Sequence, residues 1–172
     1  MKQNKLFLII SALCFLWITA CKQSPQLPAN KTSGIDSLAN NLVVVNQDLI
    51  RYEDSVLNHY VALLDSGYLK SKLGFWYKIN RRTQKDLIRE KDKCRFQYSI
   101  YSLNDSLLTD MAQAEVVVGK KNTIRGIEEA LLLMRPGETA TLILPWYLAY
   151  GMKGNDNGVT AYTSVKVHIS VY

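Results

Sequence analysis

Histidine and pairable cysteine are scarce in this chain, and the scarcity excludes several kinds of chemistry before any motif is read. Two histidines, His59 and His168, stand far apart among 172 residues that hold three cysteines. No set with metal-ligand spacing can be drawn from them, so no metal and no cofactor is expected. His59 falls at the polar edge of a helical pattern and reads as a solvated side chain. The chain also lacks a run long enough for a permanent membrane span, which needs about 20 apolar residues. Its one long apolar stretch, Leu6 to Ile18, is shorter, and it follows Lys2 and Lys5. A basic start and a short apolar run are the layout of a secretory signal peptide. Strong charge is missing as well. The formal +6 falls to +4 once residues 1–20, with Lys2 and Lys5, are removed. That excess suits an ordinary solvated surface, and an exported chain meets little nucleic acid, so no nucleic-acid partner is expected.

What is present begins at the end of the apolar stretch. Ile18-Thr19-Ala20-Cys21, with no acidic residue before it, resembles the lipobox of bacterial lipoproteins. The resemblance implies that residues 1–20 are cleaved, that the Cys21 thiol carries a diacylglycerol, and that the membrane is a partner through that lipid. Two or three acyl chains on one residue hold durably where a single chain binds only marginally. Cys14 then leaves with the signal peptide and Cys94 is left alone, so no intramolecular disulfide is expected. Residues 21–40 are polar, contain Pro25 and Pro28 and show no apolar period. They read as a flexible tether. No acidic run follows Cys21, and the expected place is the cell envelope, on the outer membrane facing the periplasm.

Residues 41–73 form a helical extension. Val45, Leu49, Tyr52, Val56, Tyr60 and Leu63 recur at three- and four-residue steps opposite Asp48, Arg51, Asp54 and Asn58, and Gly67 is the stop. Such a helix must dock on something: its own domain, which is the default, a twin copy that would make a dimer, or a client. From residue 74 the period becomes strand-like. Gly74–Ile79, Cys94–Tyr101, Ala114–Val118, Thr139–Leu144 and a last strand with Val165, Val167, Ile169 and Val171 on one face are β-prone. Asn80 to Lys93 is a charged loop. Ile127, Ala130, Leu131 and Met134 have helical spacing, ended by Pro136-Gly137. Many strands and one short helix predict an α+β fold for residues 74–172: an antiparallel sheet wrapped on a short α-helix, preceded by the amphipathic helix.

The stretch from Val118 to Pro145 carries Gly119, Thr123-Ile124-Arg125-Gly126, a helix closing in Met134-Arg135-Pro136-Gly137-Glu138, and a strand ended by Pro145. Leu148-Ala149-Tyr150-Gly151 follows, and Phe96-Gln97-Tyr98 precedes at a matching distance. In order and in register over about 80 residues, from Phe96 to the end, these blocks resemble the FK506-binding-type prolyl isomerases. With the lipobox and the leading helix there is a narrower similarity to FKBP-like lipoproteins of gliding bacteria.

The resemblance implies a site. Tyr98 would stand on the pocket wall, Tyr150 would give its hydroxyl to a substrate carbonyl, and the Ile124 N–H would be a second donor beside Thr123. Ile127 replaces the family's floor tryptophan, Val159 closes the loop side where the family has Ile-Pro, and Val167 stands where it usually has Phe. Leu108 and Thr109 fall where it has Phe and Asp, and Ala114 occupies another aromatic position. Fewer rings bury less of a prolyl ligand, which implies weak binding of macrolide inhibitors and reduced activity. Trp146 and Tyr147 are either exposed aromatics at a client surface or ordinary packing.

No nucleophile, metal or general base is needed for this chemistry. The barrier to amide rotation is about 18–20 kcal/mol, and lowering it by about 4 kcal/mol gives roughly a thousandfold. An apolar slot favours the twisted, less polar amide, and aimed donors orient it. The expected function is a membrane-anchored peptidyl-prolyl cis-trans isomerase acting on proline-containing exported polypeptides. The alternative is a non-catalytic chaperone or scaffold lipoprotein in an envelope assembly.

Overall fold

The computed structural model describes residues 32–64, 66–155 and 158–172. The chain divides into two compact units, 1–45 and 46–172. In the first, the described residues belong to helix α1 (Thr32–Leu63), whose course from Asn46 onward is part of the second. The second unit is built on one antiparallel sheet. Its strands are β1 (Leu69–Lys70), β2 (Trp76–Arg81), β3 (Lys93–Ser102), β4 (Leu107–Val117), β5 (Thr139–Leu144) and β6 (Val165–Val171). They lie in the order β1-β2-β5-β6-β3-β4. A short helix, α2 (Arg125–Leu131), covers one face, and a single 3-10 turn, Trp146–Leu148, follows β5.

The strands follow from their side-chain period. In β6, Val165, Val167, Ile169 and Val171 are buried and the residues between them are not, the alternation of a strand with one face in the core. β5 is different: Ala140 to Leu144 is buried without a break, which marks a strand covered on both faces. Ala140, Leu142 and Leu144 pack in the main core with Ile127, Ala130 and Leu131 of α2. Ile143 points the other way, where Leu57 and Val61 of α1 cover it with Trp76, Tyr60 and Leu103 around them. The β4 strand is longer than the apolar run Ala114–Val118 suggested, because an edge strand pairs through its backbone and its polar outer residues need no burial. Cys94 is buried in β3, and that burial raises its thiol pKa to about 11.

Helix α1 docks on its own domain, as expected, but of the expected stripe only Tyr60 takes part. Leu57 and Val61 are the buried residues, and Tyr60 donates its hydroxyl to the Leu103 carbonyl at 2.9 Å. From the expected stripe, Tyr52 is 71% exposed and Leu63 74%, with Val45, Leu49 and Val56 exposed too. Asp54, expected on the solvent side, turns inward to Tyr147 and Lys70. A helix turns about 100° per residue, and this one carries two apolar stripes a single residue apart in phase. Ile143 and Trp76 select the one that docks. α1 also starts at Thr32, so residues 32–40, read as tether, are helical; past Gly34 nothing in that stretch breaks a helix.

Candidate functional site

The site lies where β3, β4 and the segment after β5 converge. Pro145 ends β5, since it offers no N–H to the ladder, and the chain turns through Trp146–Leu148 into Ala149-Tyr150-Gly151. The Trp146 carbonyl accepts from the N–H of Gly151 at 2.8 Å and of Ala149 at 3.1 Å, which brackets Tyr150. On the sheet side, β3 holds Tyr98 half-buried, its ring 5.8 Å from that of Phe96. The β3–β4 pairing slips between Tyr98 and Ile100, and the irregularity sets Thr109 opposite Ile100.

Tyr98, Thr109 and Tyr150 come together at one hydroxyl. Burial raises the Tyr150 pKa above its usual value and the neighbouring Tyr98 adds to that, while hydrogen bonds with Asn155 and Thr109 pull it down. Tyr150 thus shares side-chain hydrogen bonds with Thr109 and Asn155 beside Tyr98. The phenol stays protonated at neutral pH. The Asn155 Oδ1 accepts from Val159 N–H at 2.8 Å, and the Asn155 N–H returns a bond to the Val159 carbonyl at 2.8 Å, which fixes the residue beside Tyr150. Sequence reasoning passed over Asn155. The only local sign was its place after Gly154 in a turn-rich run, and its role depends on a residue in the preceding turn.

On the other side, Ile124 is the N-cap of α2, a position whose N–H has no partner within a helix. Its carbonyl accepts from Ile127 and Glu128 N–H, both at 3.0 Å. Glu128 is buried. Its carboxylate oxygen accepts from Gly119 N–H at 2.7 Å and Lys121 N–H at 3.0 Å, which ties the loop ahead of Ile124 to the helix. Gly126 lets α2 approach β5: a Cβ there would meet the Leu144 side chain at 2.7 Å.

The remaining candidate residues divide by burial. Leu108, Ala114 and Ile124 are partly buried and pack on the main core beside Tyr98 and Tyr150. Ile127 and Val167 are 0% exposed and Val159 2%, so they are members of the main core under these residues. Thr123 lines a polar cleft with Glu90, Lys121, Arg125 and Glu128, which Tyr98 and Tyr150 do not line. Trp146 is packing: its ring stands edge-on to Tyr162 at 4.9 Å and Tyr147 at 5.5 Å. Tyr147 donates to Asp54 at 3.4 Å, and burial with that carboxylate pushes its pKa up to about 12. His168 is engaged with Thr141 at 3.1 Å and lies edge-on to Tyr101. Cys21 lies outside the described residues.

Tyr98, Tyr150 and the helix-start residue Ile124 thus border one apolar core, and a phenol hydroxyl and a backbone amide are groups able to orient carbonyls. The sequence pattern of the family described as FKBP-type peptidyl-prolyl cis-trans isomerase matches residues 84–169, half of the 172-residue chain. Peptidyl-prolyl cis-trans isomerase FKBP10 of Bos taurus is 28% identical over 87 residues, a match that takes in 48% of this chain and 15% of the length of that protein. A peptidyl-prolyl cis-trans isomerase structure from Pseudomonas syringae pv. tomato has a TM-score of 0.61 at 16% identity, over 73% of this chain and 92% of that one. The N-terminal domain of FKBP42 from Arabidopsis thaliana gives 0.57 at 21%, over 63% and 91%. FkpA from Escherichia coli gives 0.58 at 13%, over 99% and 80%. At these identities the structural likeness is one of fold.

Proposed function

The chain belongs to the FKBP-type peptidyl-prolyl cis-trans isomerase family, and on that premise we propose that it is a membrane-anchored isomerase for proline-containing exported polypeptides, with activity reduced by its thinned aromatic lining. The observation that carries the reading is the Tyr150 hydroxyl, half-buried, kept protonated by burial, and hydrogen-bonded with Thr109 and Asn155 beside Tyr98. A prolyl peptide in this slot leaves water, which favours the twisted amide over the planar one. Tyr150 and the Ile124 N–H then hold the flanking carbonyls while the bond turns.

A proline-limited refolding assay on residues 22–172 tests this. The wild-type fragment should accelerate the slow phase, and Tyr150→Phe should lower kcat/KM roughly tenfold, the worth of one hydrogen bond of about 1.4 kcal/mol. A flat result from folded wild-type protein would overturn the isomerase and favour the scaffold lipoprotein, for which the exposed stripe of α1 is the supporting feature.

Anchoring and export rest on the lipobox. Among the described residues no helix is long and apolar enough to cross a membrane. The expected result is that the full chain partitions into the detergent phase of a cell extract and fractionates with the outer membrane, whereas Cys21→Ala stays aqueous. Equal partitioning of the two would end that part of the proposal.

A further inference from the structure

Helix α1 reaches the turn that carries Tyr150 through two consecutive carboxylates. Glu53 is half-buried on the helix, and its Oε1 accepts the hydroxyl proton of Ser164, the residue just ahead of β6. Ser164 is 8% exposed, and its Oγ in turn accepts from the Trp146 N–H at 2.9 Å. Trp146 opens the 3-10 turn, and its carbonyl holds the Gly151 N–H at 2.8 Å. The Gly151 carbonyl accepts from Tyr162 N–H at 3.1 Å, and the Tyr162 ring lies against Trp146. One residue along the helix, Asp54 accepts from Tyr147. The first two residues of the turn are thus each tied to α1.

The chemistry of the relay gives Glu53 the controlling place. A serine hydroxyl has one proton and turns freely about its C–O bond unless an acceptor claims that proton. A carboxylate is the strongest acceptor a side chain offers, and a charge-assisted bond is roughly twice as strong as a neutral one. With its proton committed to Glu53, Ser164 presents a lone pair to Trp146 in one direction. Without Glu53 the hydroxyl is released, and the buried Trp146 N–H loses an oriented partner.

We propose that Glu53 is a positioning residue for the isomerase site: through Ser164 it holds the Trp146–Gly151 turn, and with it the Tyr150 hydroxyl, at the place where a substrate carbonyl is met. The role rests on the isomerase reading of Tyr150. Glu53 itself touches no substrate. The helix that precedes the domain is in this way part of the site's frame, and not only a cover for Ile143 and Trp76.

The test compares Glu53→Ala and Glu53→Gln with wild type, as full chains in detergent, by amide hydrogen exchange and by proline-limited refolding. Glu53→Ala should speed exchange at Trp146, Gly151 and Tyr162 by about tenfold while Phe96 and Ile169 in the sheet keep their rates, as a local opening requires. It should lower kcat by about threefold to tenfold with KM little changed, since the loss falls on a group that acts as the amide twists. Glu53→Gln keeps an oxygen that accepts from Ser164 and should restore both. Exchange unchanged in Glu53→Ala, an equal rise at Phe96 and Ile169, or no rescue by glutamine would overturn the relay. If wild type catalyses and Glu53→Ala keeps its kcat, the positioning role falls. If wild type catalyses nothing while the three amides respond, the isomerase reading fails and the hold on the turn stands.

Discussion

Gly154→Ala should lower stability by about 3 kcal/mol, through left-handed backbone cost and forced loop opening. Gly154 sits at φ +71°, and a Cβ there would stand 2.2 Å from the Val159 carbonyl oxygen, 2.7 Å from the Thr160 carbonyl carbon and 3.0 Å from the Ala161 nitrogen. All three neighbours are backbone, so no side chain can swing aside. The loop must open, which breaks the paired bonds between Asn155 and Val159 and lifts Val159 out of the core. Asn155 then loses its hydrogen bond with Tyr150, and isomerase kcat/KM should fall at least tenfold along with the urea midpoint. Gly151→Ala is the internal comparison: its φ is +68°, but nothing lies within 4 Å of the added methyl. It should cost only the left-handed term, about 1 kcal/mol. Equal urea midpoints for the two variants would show that close approach is not what Gly154 provides.

Glu128→Ala acts on the opposite rim. One buried carboxylate oxygen takes both the Gly119 and Lys121 N–H groups, in a turn where Lys121 is held at φ +56°. Bonds to a charged acceptor contribute about 1.5–3 kcal/mol each. Gly119 and Lys121 are themselves exposed and can rebind water, which brings the expected total down to about 2 kcal/mol. The loop runs on to Thr123 and Ile124, so a loosened turn should weaken substrate binding, and KM should rise more than kcat falls. Glu128→Gln retains an oxygen acceptor and should recover about half of the stability. Chemical denaturation together with steady-state refolding kinetics reads both quantities. A Glu128→Ala variant as stable as wild type would mean that the turn holds its shape through the Lys120 N–H bond to Val117 and its glycine alone.

These two variants also show where the sequence was legible. Gly154 and Glu128 both sit within the span, Phe96 to the end, that resembles the family, yet what makes each matter is an atom brought close by the fold. The Gly154 constraint is five residues away in the chain and depends on a closed loop. The Glu128 carboxylate could have faced solvent like Glu129 beside it; burial of the helix against Leu144 turned it to the loop.

Short-range patterns carried through to the structure because they arise from short-range physics. The two-residue period of β6, the stop at Pro145 and the short helix after Ile124 depend on backbone geometry within a few residues. Tyr98, Ile124 and Tyr150 were singled out by the resemblance to the family and by no periodicity. What the tertiary structure decided were choices between equivalent local options and bonds across long separations. α1 has two apolar stripes, and only Ile143 and Trp76, 80 and 13 residues beyond its end at Leu63, select Leu57 and Val61. Ser164 meets Glu53 across 111 positions, and Thr109 reaches Tyr150 across the sheet. A periodicity records that a residue belongs on a face; the partner surface, which settles which face is buried and which polar group completes a site, exists only once the chain has folded.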